Sequence, residues 1–120
     1  MSSTTISFQH INLEYLDTMT GGDADTMQQM LELLIDEIPT EITKMRESVH
    51  SKDWEEVFQI SHKLKTTLAF IGNDDMIALN KTIEHCSRHK IDIHEVSPMV
   101  KQLSGLSNPV MDELKTARLS

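Results

Sequence analysis

Residues 53–72 read DWEEVFQISHKLKTTLAFIG, an apolar pattern of helical period between an acidic residue and a glycine. Asp53 is suited to the start of a helix and Gly72 to its stop, so a helix is expected from about Asp53 to Ile71. On a wheel of roughly 100° per residue, Val57, Ile60, Leu64, Thr67, Leu68 and Ile71 gather on one side. His62 falls nearly opposite the centre of that group, with Glu55, Phe58, Gln59, Lys65, Thr66 and Ala69 around it. The apolar stripe closes without His62, so the histidine is expected to point outward.

The same periodicity recurs on both sides of this segment. A short helix is expected over Asn12 to Met19, with Ile11, Tyr15, Leu16 and Met19 as its apolar edge and Gly21-Gly22 ending it. Asp23 can cap a long second helix. Its stripe is Met27, Met30, Leu31, Leu34, Ile35, Ile38, Ile42, Met45 and Val49. Pro39 removes one backbone donor and should bend that helix. The stripe keeps its phase across the proline, which predicts one kinked helix and not two. After Gly72, Asn73 or Asp74 can cap a helix that carries Met76, Leu79, Ile83 and Cys86 and ends near Arg88. Ser97-Pro98 opens the last helix, whose stripe runs through Val96, Met99, Val100, Leu103, Leu106, Val110 and Leu114. Gly105 and Pro109 predict a kink or break near Asn108. The expected fold is all-α: an antiparallel four-helix bundle with a short additional N-terminal helix, one domain over residues 1–120 that reads as complete. Residues 1–9, rich in Ser and Thr, are expected to fray.

Composition narrows the function classes. Hydrophobic residues make up 38% and charged residues 25%, a globular balance. Aromatic content of 4%, with only 4 Gly and 3 Pro, argues against a β-sandwich, and 8 Met suit an adaptable helical core. A net charge of −8 without a basic face argues against nucleic acid as a partner. One cysteine, Cys86, forbids an internal disulfide and fits a reducing compartment. The N-terminus has no secretory pattern, and no stretch approaches the ~18 apolar residues of a membrane span. A cytoplasmic monomer, with no membrane or nucleic-acid partner, is the expectation.

His62 by itself is open to two readings, an ordinary surface residue or a functional one. Its neighbours bear on the choice. Phe58 lies one turn before it on the outer face, where a large apolar ring needs cover. That cover is either a partner protein or the first short helix. Lys65, three residues after His62, can neutralise a phosphoryl group on the imidazole, or is a solvated lysine. Lys63 adds lateral positive charge. Thr66 and Ala69 leave the surface low enough for another protein to approach.

The segment Ser61-His62-Lys63-Leu64-Lys65-Thr66-Thr67, with Gly72 ten residues after the histidine, resembles the motif of histidine-containing phosphotransfer domains. That pattern reads His-x-Leu-Lys-Gly, then small residues, then Gly. His62, Leu64, Lys65 and Gly72 match it. Thr66 stands where the family has glycine, which can crowd an incoming domain and make transfer slow or selective. Gly22-Asp23, Pro39 and Lys52-Asp53 also sit where the family places such residues, and the likeness spans roughly residues 10 to 105. The resemblance implies a phosphorelay intermediate in two-component signal transduction. It would accept a phosphoryl group on His62 from a receiver-domain phospho-aspartate and pass it to another receiver. It implies a carrier and not an enzyme. The partner response-regulator receiver, or a hybrid sensor kinase, supplies the acidic pocket and Mg²⁺, and this chain needs no cofactor. The neutral imidazole is the nucleophile, with Nε2 the more exposed nitrogen. In this reading Lys65 stabilises the phosphoryl charge, Gln59 bonds the ring or the phosphate, and Phe58, Thr66 and Ala69 form the docking patch.

Two rival readings stand beside this one. Thr66 also fits a non-phosphorylated adaptor that binds a receiver or kinase through the same face. His85 and His89, four apart with Cys86 between them, could chelate a metal. No third ligand stands at motif spacing, and a polar helix end explains the pair, so no metal is expected. Asp74 and Asp75 read as residues of a helix start.

Overall fold

The computed structural model describes residues 8–119. Five helices follow one another: α1 (Glu14–Met19), α2 (Ala24–His50), α3 (Trp54–Ile71), α4 (Asp74–His89) and α5 (Val96–Leu119), with a single 3-10 turn, Ile93–Glu95, leading into α5. The described residues contain no strand. Helices α2 to α5 form the expected bundle. The close pairs are α2 with α3, α3 with α4, α4 with α5 and α5 with α2, a closed ring in which short connections make sequence neighbours antiparallel. The molecule measures 52 × 21 × 19 Å along its principal axes.

Local chemistry sets most of the boundaries. Asp23 accepts from the Thr26 backbone N–H, Asp53 from that of Glu56 and Asn73 from that of Met76, each side chain satisfying a donor the helix cannot. Gly72 ends α3 with φ +63°, and it has a second role. A Cβ there would lie 2.7 Å from the Asn12 carbonyl oxygen, so glycine lets the N-terminal segment cross the end of α3. Asn12 N–H donates to the Ile71 carbonyl at 2.8 Å across that crossing.

The core is built from the stripes. Leu31, Leu34, Ile38, Ile42 and Met45 of α2 meet Val57, Ile60, Leu64, Leu68 and Ile71 of α3, Met76 and Ile83 of α4, and Val100, Leu103, Val110 and Leu114 of α5. Each buried aliphatic side chain contributes about 1.5–3 kcal/mol relative to exposure. These contacts, more than helix propensity, keep the long helices continuous. The α2 helix runs unbroken through Pro39.

Four details differ from the sequence expectation. First, α1 starts at Glu14, not Asn12, and Tyr15 and Met19 are exposed, leaving Leu16 as its buried residue. Second, α4 ends at His89, near Arg88 as expected, but on Lys90, which takes the left-handed conformation (φ 55°) although it is not glycine. Third, α5 has no break near Asn108. Pro109 removes one donor, but Leu103, Val110 and Leu114 are buried on either side of it and Ser107 Oγ donates to the Ser104 carbonyl at 2.6 Å. Fourth, of the segment expected to fray, residues 1–7 lie outside the described residues. Phe8 packs against the core, and the Gln9 and His10 N–H groups donate to the Glu113 carboxylate at 3.3 and 2.8 Å.

Candidate functional site: a surface histidine between two helices

The site begins with a register lock. Ser61 is fully buried where α3 faces α4. Its hydroxyl lies 2.8 Å from Asn80 Oδ1 and 3.0 Å from the Asn80 carbonyl, and Asn80 Nδ2 donates to the Ser61 carbonyl at 3.0 Å. Buried polar groups are costly unless paired, so these bonds fix how far α3 slides along α4. The next residue, His62, then falls beside the next turn of α4.

His62 stands outward with 61% of its side chain exposed. Its Nδ1 lies 3.0 Å from Glu84 Oε2. A carboxylate can only accept, so Nδ1 carries the proton and donates, and Nε2 presents its lone pair outward. Glu84 is only 16% exposed, and its other oxygen, Oε1, lies 3.4 Å from Lys65 Nζ. Burial pushes the Glu84 carboxyl up. The hydrogen bonds from His62 and Lys65, with the lysine's charge, outweigh it and hold the group below its ordinary value.

A second layer extends the same antiparallel match. Phe58 and His62 are one turn apart on α3; Arg88 and Glu84 are one turn apart on α4. The Phe58 ring stacks on the imidazole at 5.7 Å between centroids and 29° between planes. The Arg88 guanidinium carbon lies 5.7 Å from the Phe58 centroid on a cation–π contact. Phe58 is thus partly covered by Arg88 and His62, not by α1. The short helix sits at the other end of α3, where Tyr15 stacks on Phe70 at 5.5 Å.

Thr66 and Ala69 are exposed on the His62 side of α3. Gln59 is placed differently from its expected role. Its Nε2 donates to Glu55 Oε1 at 3.1 Å, a bond one turn back along α3, while Glu84 takes the ring nitrogen. Lys63 turns to α2, 2.9 Å from Glu41 and 3.6 Å from Glu37. The hydrogen bond to Glu41, more than the charges, raises its pKa. Its charge is therefore engaged away from His62. The residues missed from sequence are Glu84, Arg88 and Asn80. Their partners lie 19 to 30 positions away in the chain, and no local spacing marks them.

His85 and His89 place their rings 4.7 Å apart, and no group of three or more metal-capable side chains occurs among the described residues. No helix of the described residues is long and apolar enough to cross a membrane.

The Hpt domain family model matches residues 29–115. The crystal structure of the HPT domain from the Hpt sensor hybrid histidine kinase from Shewanella superposes with a TM-score of 0.75, covering 89% of this chain and 92% of that one, at 19% identity. No curated protein matches the chain by sequence. The chain belongs to the Hpt domain family. Hpt domains are phosphocarrier modules, which gives this chain a phosphotransfer role in two-component signalling, among receiver and kinase components.

Proposed function

We propose that this protein is a phosphorelay intermediate that carries the phosphoryl group on Nε2 of His62. The observation that supports this is the Glu84 hydrogen bond, which occupies Nδ1 and leaves one nucleophilic lone pair facing solvent. In the forward step that lone pair attacks the phosphorus of a receiver's aspartyl phosphate. The N–P bond forms, the P–O bond to the aspartate breaks, and the receiver's carboxylate leaves with the electron pair. The Nδ1 proton stays in its bond to Glu84, which stabilises the positive charge developing on the ring. Passing the group to a second receiver is the same exchange in reverse.

A phosphoryl group brings two negative charges to a site where Glu84 already holds Lys65. Lys65 is long and 58% exposed, so it can turn from the carboxylate to the phosphoryl oxygens. The chain itself uses no cofactor; the receiver brings the acidic pocket and the Mg²⁺ that neutralises the group in transit. Transfer then depends on positioning. Phe58, Thr66 and Ala69 form the docking patch. A groove of about 290 Å³ between α3 and α4 is lined in part by Lys65, Ile77 and Glu84.

The test is to mix the full chain with a phosphorylated receiver and Mg²⁺. Wild type should gain an acid-labile phosphoryl group and His62→Gln should not; equal labelling of the two would refute the assignment. Exposed Thr66, one turn from His62 where the resembling motif has glycine, favours a second reading as a non-phosphorylated adaptor. An adaptor would keep its receiver binding and its signalling output in His62→Gln, and lose both in Ala69→Glu.

A further inference from the structure

Away from His62, α2 ends at His50 and α3 starts at Trp54, and the first turns of α5 lie against that corner. A groove of about 770 Å³ opens there, within the size range of small-molecule sites. Val49, Trp54 and Ile93 supply its apolar surface, and Arg46, Lys52 and Lys101 supply positive charge. No carboxylate lines it.

The chain has a net charge of −8, yet three of its 11 Lys and Arg residues surround one concavity. Elsewhere on the bundle Lys44, Lys63 and Lys65 are each paired with a carboxylate, while Lys81, Arg88, Lys90, Lys115 and Arg118 form no ion pair among the described residues and line no part of this groove, so what sets the groove's three cations apart is their grouping. Among the described residues no carboxylate ion-pairs with Arg46, Lys52 or Lys101. Arg46 is also held in place, because its guanidinium donates to Ser104 Oγ at 2.8 Å. One of its five donors is used in that bond, which leaves the others for a planar anionic group. Three unpaired like charges at one concavity repel one another, and an anion relieves that repulsion. An anion alone would leave Trp54, Val49 and Ile93 only half covered. A body that stacks on the indole would cover them.

We propose that this groove binds a small amphiphilic organic anion: a flat apolar body carrying a carboxylate, phosphate or sulfonate head. The head meets Arg46, Lys52 and Lys101, and the body lies on Trp54. None of the groove's residues belongs to the His62 site, so this inference stands or falls independently of the phosphorelay reading.

Trp54 is the chain's one tryptophan, so its fluorescence reads the groove directly. The probe is anilinonaphthalene sulfonate, titrated into the full-length protein. It should quench Trp54 saturably with one-to-one stoichiometry. Arg46→Glu/Lys101→Glu should weaken binding at least about tenfold. Both side chains are exposed, so the variant should fold, and its circular dichroism melt checks this. As a second measurement on the wild type, amide shifts in a nitrogen–proton spectrum should cluster around Val49, Trp54 and Val100. The uncharged phenylnaphthylamine, with the same rings and no sulfonate, should bind at least about tenfold more weakly. Three results would overturn the proposal: equal binding of the uncharged probe, unchanged affinity in a folded charge-reversed variant, or displacement of the probe by an equal concentration of inorganic phosphate.

Discussion

Replacing Glu84 with glutamine tests the chemistry of the site more sharply than removing the histidine. The amide keeps the size of the side chain and loses its charge. In the wild type the carboxylate lies 3.0 Å from Nδ1 and is 16% exposed, while the imidazole is 61% exposed. Two full charges about 4 Å apart interact by ~4 kcal/mol at an effective dielectric of ~20. The ring develops only part of a charge in the transition state and is well solvated, which reduces the figure to about 1–2 kcal/mol. Each 1.36 kcal/mol is a factor of ten, so Glu84→Gln should slow phosphoryl acceptance by about 5- to 30-fold. The substitution also loosens the tautomer, because an amide can either accept from Nδ1–H or donate to a bare Nδ1. The assay is a rapid-quench measurement of transfer from a phosphorylated receiver at saturating receiver concentration. Nitrogen NMR of the ring runs alongside it. Wild type should show the neutral ring protonated at Nδ1, and the variant a mixture. A transfer rate within about twofold of wild type would refute the argument that Glu84 supports the developing charge.

Three further predictions concern the frame of the site. The Glu84 carboxyl is held below its ordinary value of 4.5, so its contribution to stability is present above that value and is lost as pH falls through the lower folded-state value. Urea unfolding of wild type and Glu84→Gln should therefore differ at neutral pH and converge in acid below 4.5. Asn80→Ala removes the 2.8 Å and 3.0 Å side-chain bonds to Ser61 and leaves a small void. It should cost about 2–3 kcal/mol in the urea midpoint and slow transfer as the α3–α4 register loosens. Gly72→Ala forces a Cβ to 2.7 Å from the Asn12 carbonyl at φ +63°. It should cost about 2–4 kcal/mol, and a loss under about 0.5 kcal/mol would show that the N-terminal segment moves aside freely.

What the sequence made legible, and what it hid, divides along the range of each interaction. Asp23, Asp53 and Asn73 were readable as caps because a cap bonds a backbone N–H three residues on. The stripes were readable because burial repeats with the helical period. Lys90 was not, because its left-handed turn is set by a chain reversal that glycine would ordinarily make. The unbroken α5 was not, because propensity at Pro109 is overridden by Leu103, Val110 and Leu114 packing on the rest of the bundle. The same division runs through the site. A wheel ranks the faces of one helix by burial, so it can place His62 away from the core. It cannot tell which residue of the next helix stands beside the ring, since that depends on the offset between two helices. Here the offset is held by Ser61 and Asn80, both buried and polar, which a hydrophobicity pattern counts as interruptions. With that lock in place, Glu84 stands against Nδ1 and Arg88 against Phe58, two pairs one turn apart along antiparallel axes. Lys65 shows the consequence: the sequence could locate a cation one turn from the histidine, while the fold decides that the same carboxylate orients the ring and restrains that cation.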